Sequence, residues 1–156
     1  MTAIRPYRES DAEALEEVFE RAVRGIGPGD YSPAQIEAWI GQEPRAERFR
    51  VKMADGRRCW VATDEGGRVT AFVDLEADGH IEFLFAVPAV AGTGATSALL
   101  DAVEAAARGD GITRLYVEAS EAARRFFLKR GYKVQRRRDF EIAGVAIHNY
   151  AMERRP

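Results

Sequence analysis

The chain contains one cysteine, Cys59, so it can close no internal disulfide. A reducing compartment is compatible with that. Histidine is almost as scarce: His80 and His148 lie far apart and, with a single cysteine, form no metal-ligand spacing, so no structural or catalytic metal is expected. No run of about 18 apolar residues occurs, which leaves nothing to span a membrane. The opening segment from Met1 to Pro6 lacks an apolar h-region, so no signal peptide is expected and the default location is cytoplasmic. Neither sign of charge dominates. The formal net charge of -2 gives no general pull toward nucleic acid or a membrane surface. The one dense basic cluster, Arg136-Arg137-Arg138, reads as decoration of a solvated strand or bend.

What remains is ordinary globular material. A chain of 156 residues that is 46% hydrophobic fits one domain, 1–156, with a core of its own. Ile4 to Tyr7 reads as a first strand. Ser10-Asp11-Ala12-Glu13 is a capping-box pattern, and Leu15, Val18, Phe19, Ala22 and Val23 follow at helical spacing up to Gly25. Ser32-Pro33-Ala34-Gln35 starts a second helix with Ile36, Trp39 and Ile40 on its apolar face. Residues 42–56 read as polar and irregular with one further helical turn. Cys59 to Thr63 and Val69 to Leu75 form a hairpin around Glu65-Gly66-Gly67, and His80 to Val87 reads as one further, central strand.

After a break at Pro88 comes a long helix from about Gly94 to Arg108, its core face being Ala98, Leu99, Ala102, Val103 and Ala106. Thr113 to Ala119 is a strand. Ser120 caps a helix that ends at Gly131, and a long hairpin turns at Ala143-Gly144. The order β-α-α-β-β-β-α-β-α-β-β predicts a mixed α/β or α+β architecture, with the unit from 80 to 119 joining parallel strands.

The stretch from Phe85 through Val87, Gly92 and Gly94 to Leu100 carries the strongest chemical signal. A strand enters a glycine-containing loop that opens a helix, where unpaired N–H groups and the helix dipole suit a phosphate. Gly92 and Gly94 leave the backbone open to close approach. The same pattern is also met in a plain strand-to-helix turn. Pro88, Gly94 and Ser97-Ala98-Leu99-Leu100 resemble the acetyl-CoA pyrophosphate loop of the GNAT N-acetyltransferase family. Ala119-Ser120, Ala123, Phe126-Phe127 and Gly131-Tyr132 resemble its later strand-helix-Gly-aromatic segment. Tyr31-Ser32-Pro33, Gln35 and Trp39 are similar to the second helix of one bacterial branch.

The resemblance implies a GNAT-type fold, a central mixed and mostly antiparallel sheet of about seven strands with about four helices. It implies acetyl-CoA as the cosubstrate and a primary amine, small molecule or peptide N-terminus, as the acceptor that attacks the thioester directly in a ternary complex. The donor would be bound by Phe85, Ala86, Val87, Gly92, Thr93, Gly94, Ala95 and Thr96, then by Ser120, Ala123 and Phe127, with the N–H groups of Ala86 and Val87 orienting the pantetheine. Three positions depart from the family pattern: Ala91 lacks the usual Arg or Gln, Thr96 is β-branched, and Phe127 replaces a frequent tyrosine acid.

An ammonium of reference pKa about 10.4 must lose a proton before it attacks. Glu82, between Ile81 and Phe83, is the candidate base, with a pKa expected to rise on burial; Glu118 is in reserve. Tyr150 or Tyr116 are candidate acids, although buried tyrosines are commonly core aromatics. The acceptor site would draw on Asp30, Tyr31, Trp39, Glu82, His148 and Tyr150, with Trp39 equally suited to packing beside Ile36. Arg124, Arg125 and Lys129 could offer charge to the CoA phosphates.

Two other functions remain open on sequence. Ala91 and Phe127 fit a CoA-binding sensor or interaction module without catalysis. Gly92-x-Gly94 followed by Glu118 fits a dinucleotide-binding oxidoreductase, although Ser97 stands at its third glycine. Partners beyond substrate are not expected, nor nucleic acid or membrane, and the chain is expected as a monomer or homodimer.

Overall fold

The computed structural model describes residues 2–42 and 45–156. Strand β1 (Ala3–Pro6) leads into helix α1 (Ala12–Ile26), followed by α2 (Pro33–Ile40) and α3 (Arg45–Met53). Strands β2 (Arg58–Thr63), β3 (Val69–Leu75), β4 (His80–Ile81) and β5 (Leu84–Ala86) come next. Helix α4 (Ala95–Gly109), β6 (Leu115–Ala119), α5 (Glu121–Lys129), β7 (Lys133–Ile142) and β8 (Val145–Arg154) complete the chain. The strands form two four-stranded sheets, ordered β1-β2-β3-β5 and β4-β6-β8-β7. Only β4 and β6 pair in parallel; every other ladder is antiparallel. This mixed, mostly antiparallel arrangement is the expected class, with eight strands and five helices among the described residues where about seven and about four were expected. It is not the doubly wound parallel sheet that a dinucleotide-binding reading requires.

The expected single strand from His80 to Val87 is two strands in different sheets, and Asp74 is the reason. Asp74 lies on β3 and is fully buried. Its Oδ1 accepts the backbone N–H of Glu82 at 2.9 Å and of Phe83 at 2.7 Å. Those two amides therefore need no strand partner. The chain pairs with β6 through His80 and Ile81, passes this carboxylate, and then pairs with β3 through Leu84 to Ala86. Asp74 Oδ2 is held in turn by Arg57 at 2.8 Å, whose side chain is only 6% exposed. Burial pushes the Asp74 carboxyl up to about 6 against the Phe83 N–H and Arg57, which pull it down, so it stays ionised at neutral pH.

Strand β3 is buried along its whole length and alternates between two cores. Phe72 faces α1 and α3, where Phe49 packs edge-on and Phe83 tilted against it, and Phe19 packs edge-on to Phe49 in the same core. Ala71, Val73 and Leu75 face α4 and α5, with Leu99, Leu100, Phe127 and Tyr132. Period-two alternation thus places helices on both faces of the strand.

Several local expectations shift. The residue that organises the start of α1 is Asp11, which accepts from Arg8 N–H at 2.8 Å and from both arms of Arg5, rather than Ser10. Helix α1 runs through Gly25, whose role is spatial: a Cβ there would sit 2.4 Å from Pro88 Cγ. Ser32 and Gln35 form the expected reciprocal cap. Within 42–56, where one turn was expected, α3 forms a full helix; residues 43 and 44 lie outside the described residues. The buried face of α4 is Ala95, Leu99, Leu100, Val103, Glu104 and Ala107, leaving Ala98, Ala102 and Ala106 half-buried. Glu104 turns inward because Arg130, Arg154 and the Tyr132 hydroxyl meet its carboxylate.

His80 reinforces the parallel seam. Its Nδ1 lies 2.7 Å from Glu76 and its Nε2 2.7 Å from Glu118 on β6. Burial lowers its pKa, but the two glutamates outweigh it and hold His80 at about 9.

Replacing Asp74 with Ala strands two buried amides, while Arg57 keeps Asp55 and Glu82, and is expected to cost about 1 to 3 kcal/mol for each amide. The urea midpoint should fall accordingly with an unchanged slope. Because the folded pKa of His80 lies above its ordinary 6.5, its stabilisation is complete below about pH 6.5 and lost as pH rises through about 9. His80→Gln should therefore flatten the fall of the urea midpoint between neutral and alkaline pH relative to the unsubstituted chain.

Candidate active site

Where β5 leaves β6, the structure opens a fork. In the β3–β5 ladder, Val87 N–H donates to Thr70 O at 2.9 Å and Phe83 O accepts from Asp74 N–H. Alternation then turns the N–H and C=O groups of Leu84 and Ala86 away from β3, into the fork. The expected pair of backbone contacts is thereby corrected: Ala86 faces the fork, whereas the Val87 amide is consumed inside the sheet and its side chain is buried.

The loop after β5 behaves as its composition suggests. Gly92 and Gly94 have φ of 77° and 92°, the left-handed region open to glycine, and a Cβ at either would meet nothing within 4 Å. Gly94 caps α4 with no side chain on the first amides. The helical bonds begin with Ala98 N–H to Gly94 O, so the N–H groups of Ala95, Thr96 and Ser97 project beyond the helix. There is no acidic residue in the first turn to compete with an anion. Ala95 contributes only its amide, since its methyl is buried; Thr93 Oγ1 is bound to Val90 O at 2.6 Å. Thr96 faces the adjacent cavity.

That cavity, of about 260 Å³, runs between α1 and α5 and is lined by Phe85, Ala86, Gly92, Thr96, Ser120 and Ala123, among others. Phe126 lines it as well. Phe127 does not: it is fully buried and packs edge-on against Tyr132 at 4.8 Å. The helical rotation of about 100° per residue carries it to the core side, so the expectation that Phe127 contacts a donor is corrected: Phe126, not Phe127, lines this cavity. Arg124 and Arg125 are each held by a carboxylate, Glu121 and Asp30 respectively.

A second cavity, of about 500 Å³, lies on the other side of the fork and shares Tyr31, Trp39, Phe85 and Ser120 with the first. Glu82, Glu118, Glu141, Arg48 and Arg138 give it its charge, and His148 lines it as well. Trp39 packs edge-on to Tyr31 and Phe19 while lining both cavities, so packing and lining are one role here. The Tyr31 hydroxyl donates to His148 O at 2.9 Å and accepts from Glu121 N–H at 3.2 Å, pinning the approach to α2 onto β8 and α5. Arg138 is not surface decoration: it lies over the Phe140 ring, bonds Asn149 at 3.0 Å and lines the larger cavity.

Glu82 reaches this cavity with a different ionisation from the one expected. Burial would raise its pKa, but Lys52 and Arg57, each 2.7 Å away, hold the carboxyl below the ordinary range. Asp74, Glu76 and Glu82 come close enough to share a cation, and Arg57 Nη1 already stands 2.8, 3.7 and 2.7 Å from them. Tyr150 lines neither cavity; its O–H points to Glu121 at 2.8 Å, and that bond raises its pKa. Glu121, which sequence reading passed over, gathers His148, Tyr150 and Arg124. Its place directly after a capping serine is the signal that marks it.

Among the described residues no helix is long and apolar enough to cross a membrane. The family described as "Acetyltransferase (GNAT) domain" matches residues 28–154. An uncharacterized N-acetyltransferase of Escherichia coli, YafP, is 30% identical over 98% of this chain and 95% of its own length. A GCN5-related N-acetyltransferase of Rhodopseudomonas palustris superposes with a TM-score of 0.92 at 31% identity, covering 100% of this chain and 96% of that one. PaiA N-acetyltransferase of Thermoplasma acidophilum, solved with coenzyme A, gives a TM-score of 0.78 at 20% identity over 100% and 99% of the two chains.

Proposed function

Because this chain belongs to the GNAT acetyltransferase family, we propose that it moves an acetyl group from acetyl-CoA to a primary amine, with both substrates bound at once. The observation that carries this reading is the fork itself: two cavities share the wall formed by Tyr31, Trp39, Phe85 and Ser120. A thioester in one cavity and an amine in the other would meet at that wall without either leaving the protein. Holding both in place converts a bimolecular encounter into a local one.

The donor side fits a pyrophosphate group. The amides of Ala95, Thr96 and Ser97 face outward at the α4 N-terminus beside Gly92 and Gly94, where nothing crowds the backbone. The outward groups of Leu84 and Ala86 suit the amides of a pantetheine arm lying along the edge of β5 as an added strand. Ala123, Phe126 and Ser120 form the opposite wall. A loop without the side-chain cation at Ala91 relies on these amides alone for phosphate affinity.

On the acceptor side, Glu82 is ionised at neutral pH and faces the larger cavity. We assign it the task of drawing in the acceptor ammonium and fixing its approach. The leaving thiolate has a reference pKa of about 8.5 and departs without full protonation, so neither Phe127 nor Tyr150 needs to serve as an acid. Tyr150 instead acts through Glu121, whose carboxylate it holds.

Acetyl-CoA should raise the melting temperature of the chain and NADH should not; a ligand at 100 times its dissociation constant adds about 2.7 kcal/mol. Gly94→Val, strained at its positive φ and covering the loop amides, should abolish that shift while the variant still melts cooperatively. No acetyl-CoA shift in the unsubstituted chain would refute the donor assignment. Glu82→Gln should lower kcat/KM for the amine by about tenfold or more while leaving acetyl-CoA affinity unchanged, as expected for loss of a charge met only by the acceptor. Equal kcat/KM values would remove Glu82 from the acceptor site.

A further inference from the structure

Glu121 is the first residue of α5, and its Oε2 lies 2.6 Å from His148 Nε2 and 2.8 Å from the Tyr150 hydroxyl. Burial would raise the Glu121 carboxyl, but His148, Tyr150 and Arg124 hold it below the ordinary range. It is therefore ionised at neutral pH and can only accept hydrogen bonds. An imidazole nitrogen at 2.6 Å from such an oxygen must carry the hydrogen, so in the neutral ring the lone pair lies on Nδ1. Among the described residues Nδ1 has no hydrogen-bond partner, and His148 lines the larger cavity. The ring is held elsewhere by contact with Tyr31 at 5.4 Å and, edge-on, with Tyr150 at 5.7 Å. Its own backbone carbonyl is fixed by the Tyr31 hydroxyl.

A carboxylate that sets the tautomer of an imidazole, which in turn presents a free nitrogen to a reacting site, is the arrangement general-base catalysis needs. Glu82 lacks this freedom, because Lys52 and Arg57 each hold one of its oxygens. We propose that His148 is the general base of the acetyl transfer, taking the acceptor's proton at Nδ1, and that Glu121 is its positioning residue.

This rests on the acetyl-transfer reading above. The acceptor ammonium gives one proton to Nδ1, forming an imidazolium. The freed nitrogen pair forms the bond to the acetyl carbon, and the carbon–sulfur bond breaks with its pair on sulfur. The second nitrogen proton ends on that sulfur as the CoA thiol, and the imidazolium returns its proton to solvent. The charged and titratable groups around the ring are Glu121 and Arg124 on α5, Asp139 opposite on β7, Tyr150 on β8 and Tyr31 before α2. Glu82, Glu118, Glu141, Arg48 and Arg138 line the same cavity. Asp139 is engaged by Arg137 at 3.1 Å, which leaves Glu121 as the carboxylate in contact with the imidazole.

The test uses the full chain, acetyl-CoA, and propylamine, lysine and glycylglycine as probe acceptors. His148→Gln should lower kcat by about 100-fold or more and remove the acid limb of the kcat pH profile, with acetyl-CoA affinity unchanged. Glu121→Gln should lower kcat with acetyl-CoA affinity unchanged, since the tautomer of His148 is no longer fixed. A merely structural histidine would leave the limb in place. If His148→Gln keeps kcat within about threefold with the same acid limb, the base is another group and the proposal fails. Imidazole nitrogen NMR on the protein alone gives a second arm that needs no turnover. Hydrogen on Nε2 of His148, lost to a mixture of tautomers in Glu121→Gln, supports the dyad; hydrogen on Nδ1 overturns it. Absence of turnover with all three amines would count against the acetyl-transfer reading, and the NMR arm would still decide the dyad.

Discussion

The structure turns on one buried carboxylate. Asp74 takes two backbone amides from the chain that crosses in front of it and returns a negative charge to Arg57. An amide pair buried in a sheet without partners would carry a desolvation cost of about 1 to 3 kcal/mol each. With Asp74 present, the chain can leave one sheet at Ile81 and join another at Leu84 without that cost. The fork, the outward edge of β5 and both cavities are consequences of this change of partner. Arg57 then draws Glu82 to the same point, so the fold and the charge of the acceptor cavity share an origin.

Much of this was legible in the sequence where local chemistry and tertiary structure agree. The Ser32–Gln35 cap, the glycine loop before α4, the Ser120 cap and the Ala143-Gly144 turn were all written in short-range signals. The family resemblance drew attention to the same glycine loop, since backbone amides at a helix start require few side chains. The long-range terms were hidden. Nothing in the pattern around Val73 and Leu75 announces that Asp74 will replace strand pairing eight residues later. Glu104 reads as a surface residue of α4 until Arg130, Arg154 and Tyr132 arrive from elsewhere in the chain. Phe126 and Phe127 are indistinguishable by type, and only the packing of α5 decides which one sees the cavity. Glu82 shows the same limit in electrostatics: its apolar neighbours predict a raised pKa, and two cations distant in sequence reverse it.

The two sides of the fork also differ in how they are held. The donor side is made of backbone: amides at a helix start, the edge of a short strand, and small residues of α5. The acceptor side is made of side chains tied through one another, with Tyr31 joining His148 and Glu121, and Arg138 braced by Asn149 and Phe140. Backbone recognition tolerates changes of side chain, whereas a linked set of polar side chains responds to any one of them.

The contact between Gly25 and Pro88 has a consequence for how such a protein can diverge. With no space for even one added carbon, α1 and the donor loop can only drift together. The walls of the larger cavity, drawn in part from α2 and the tip of the β7–β8 hairpin, are set by side-chain contacts instead, which a substitution can remake. If the chain transfers acetyl groups as proposed, heritable variation is channelled toward the choice of amine, while the means of holding the acyl carrier stays put.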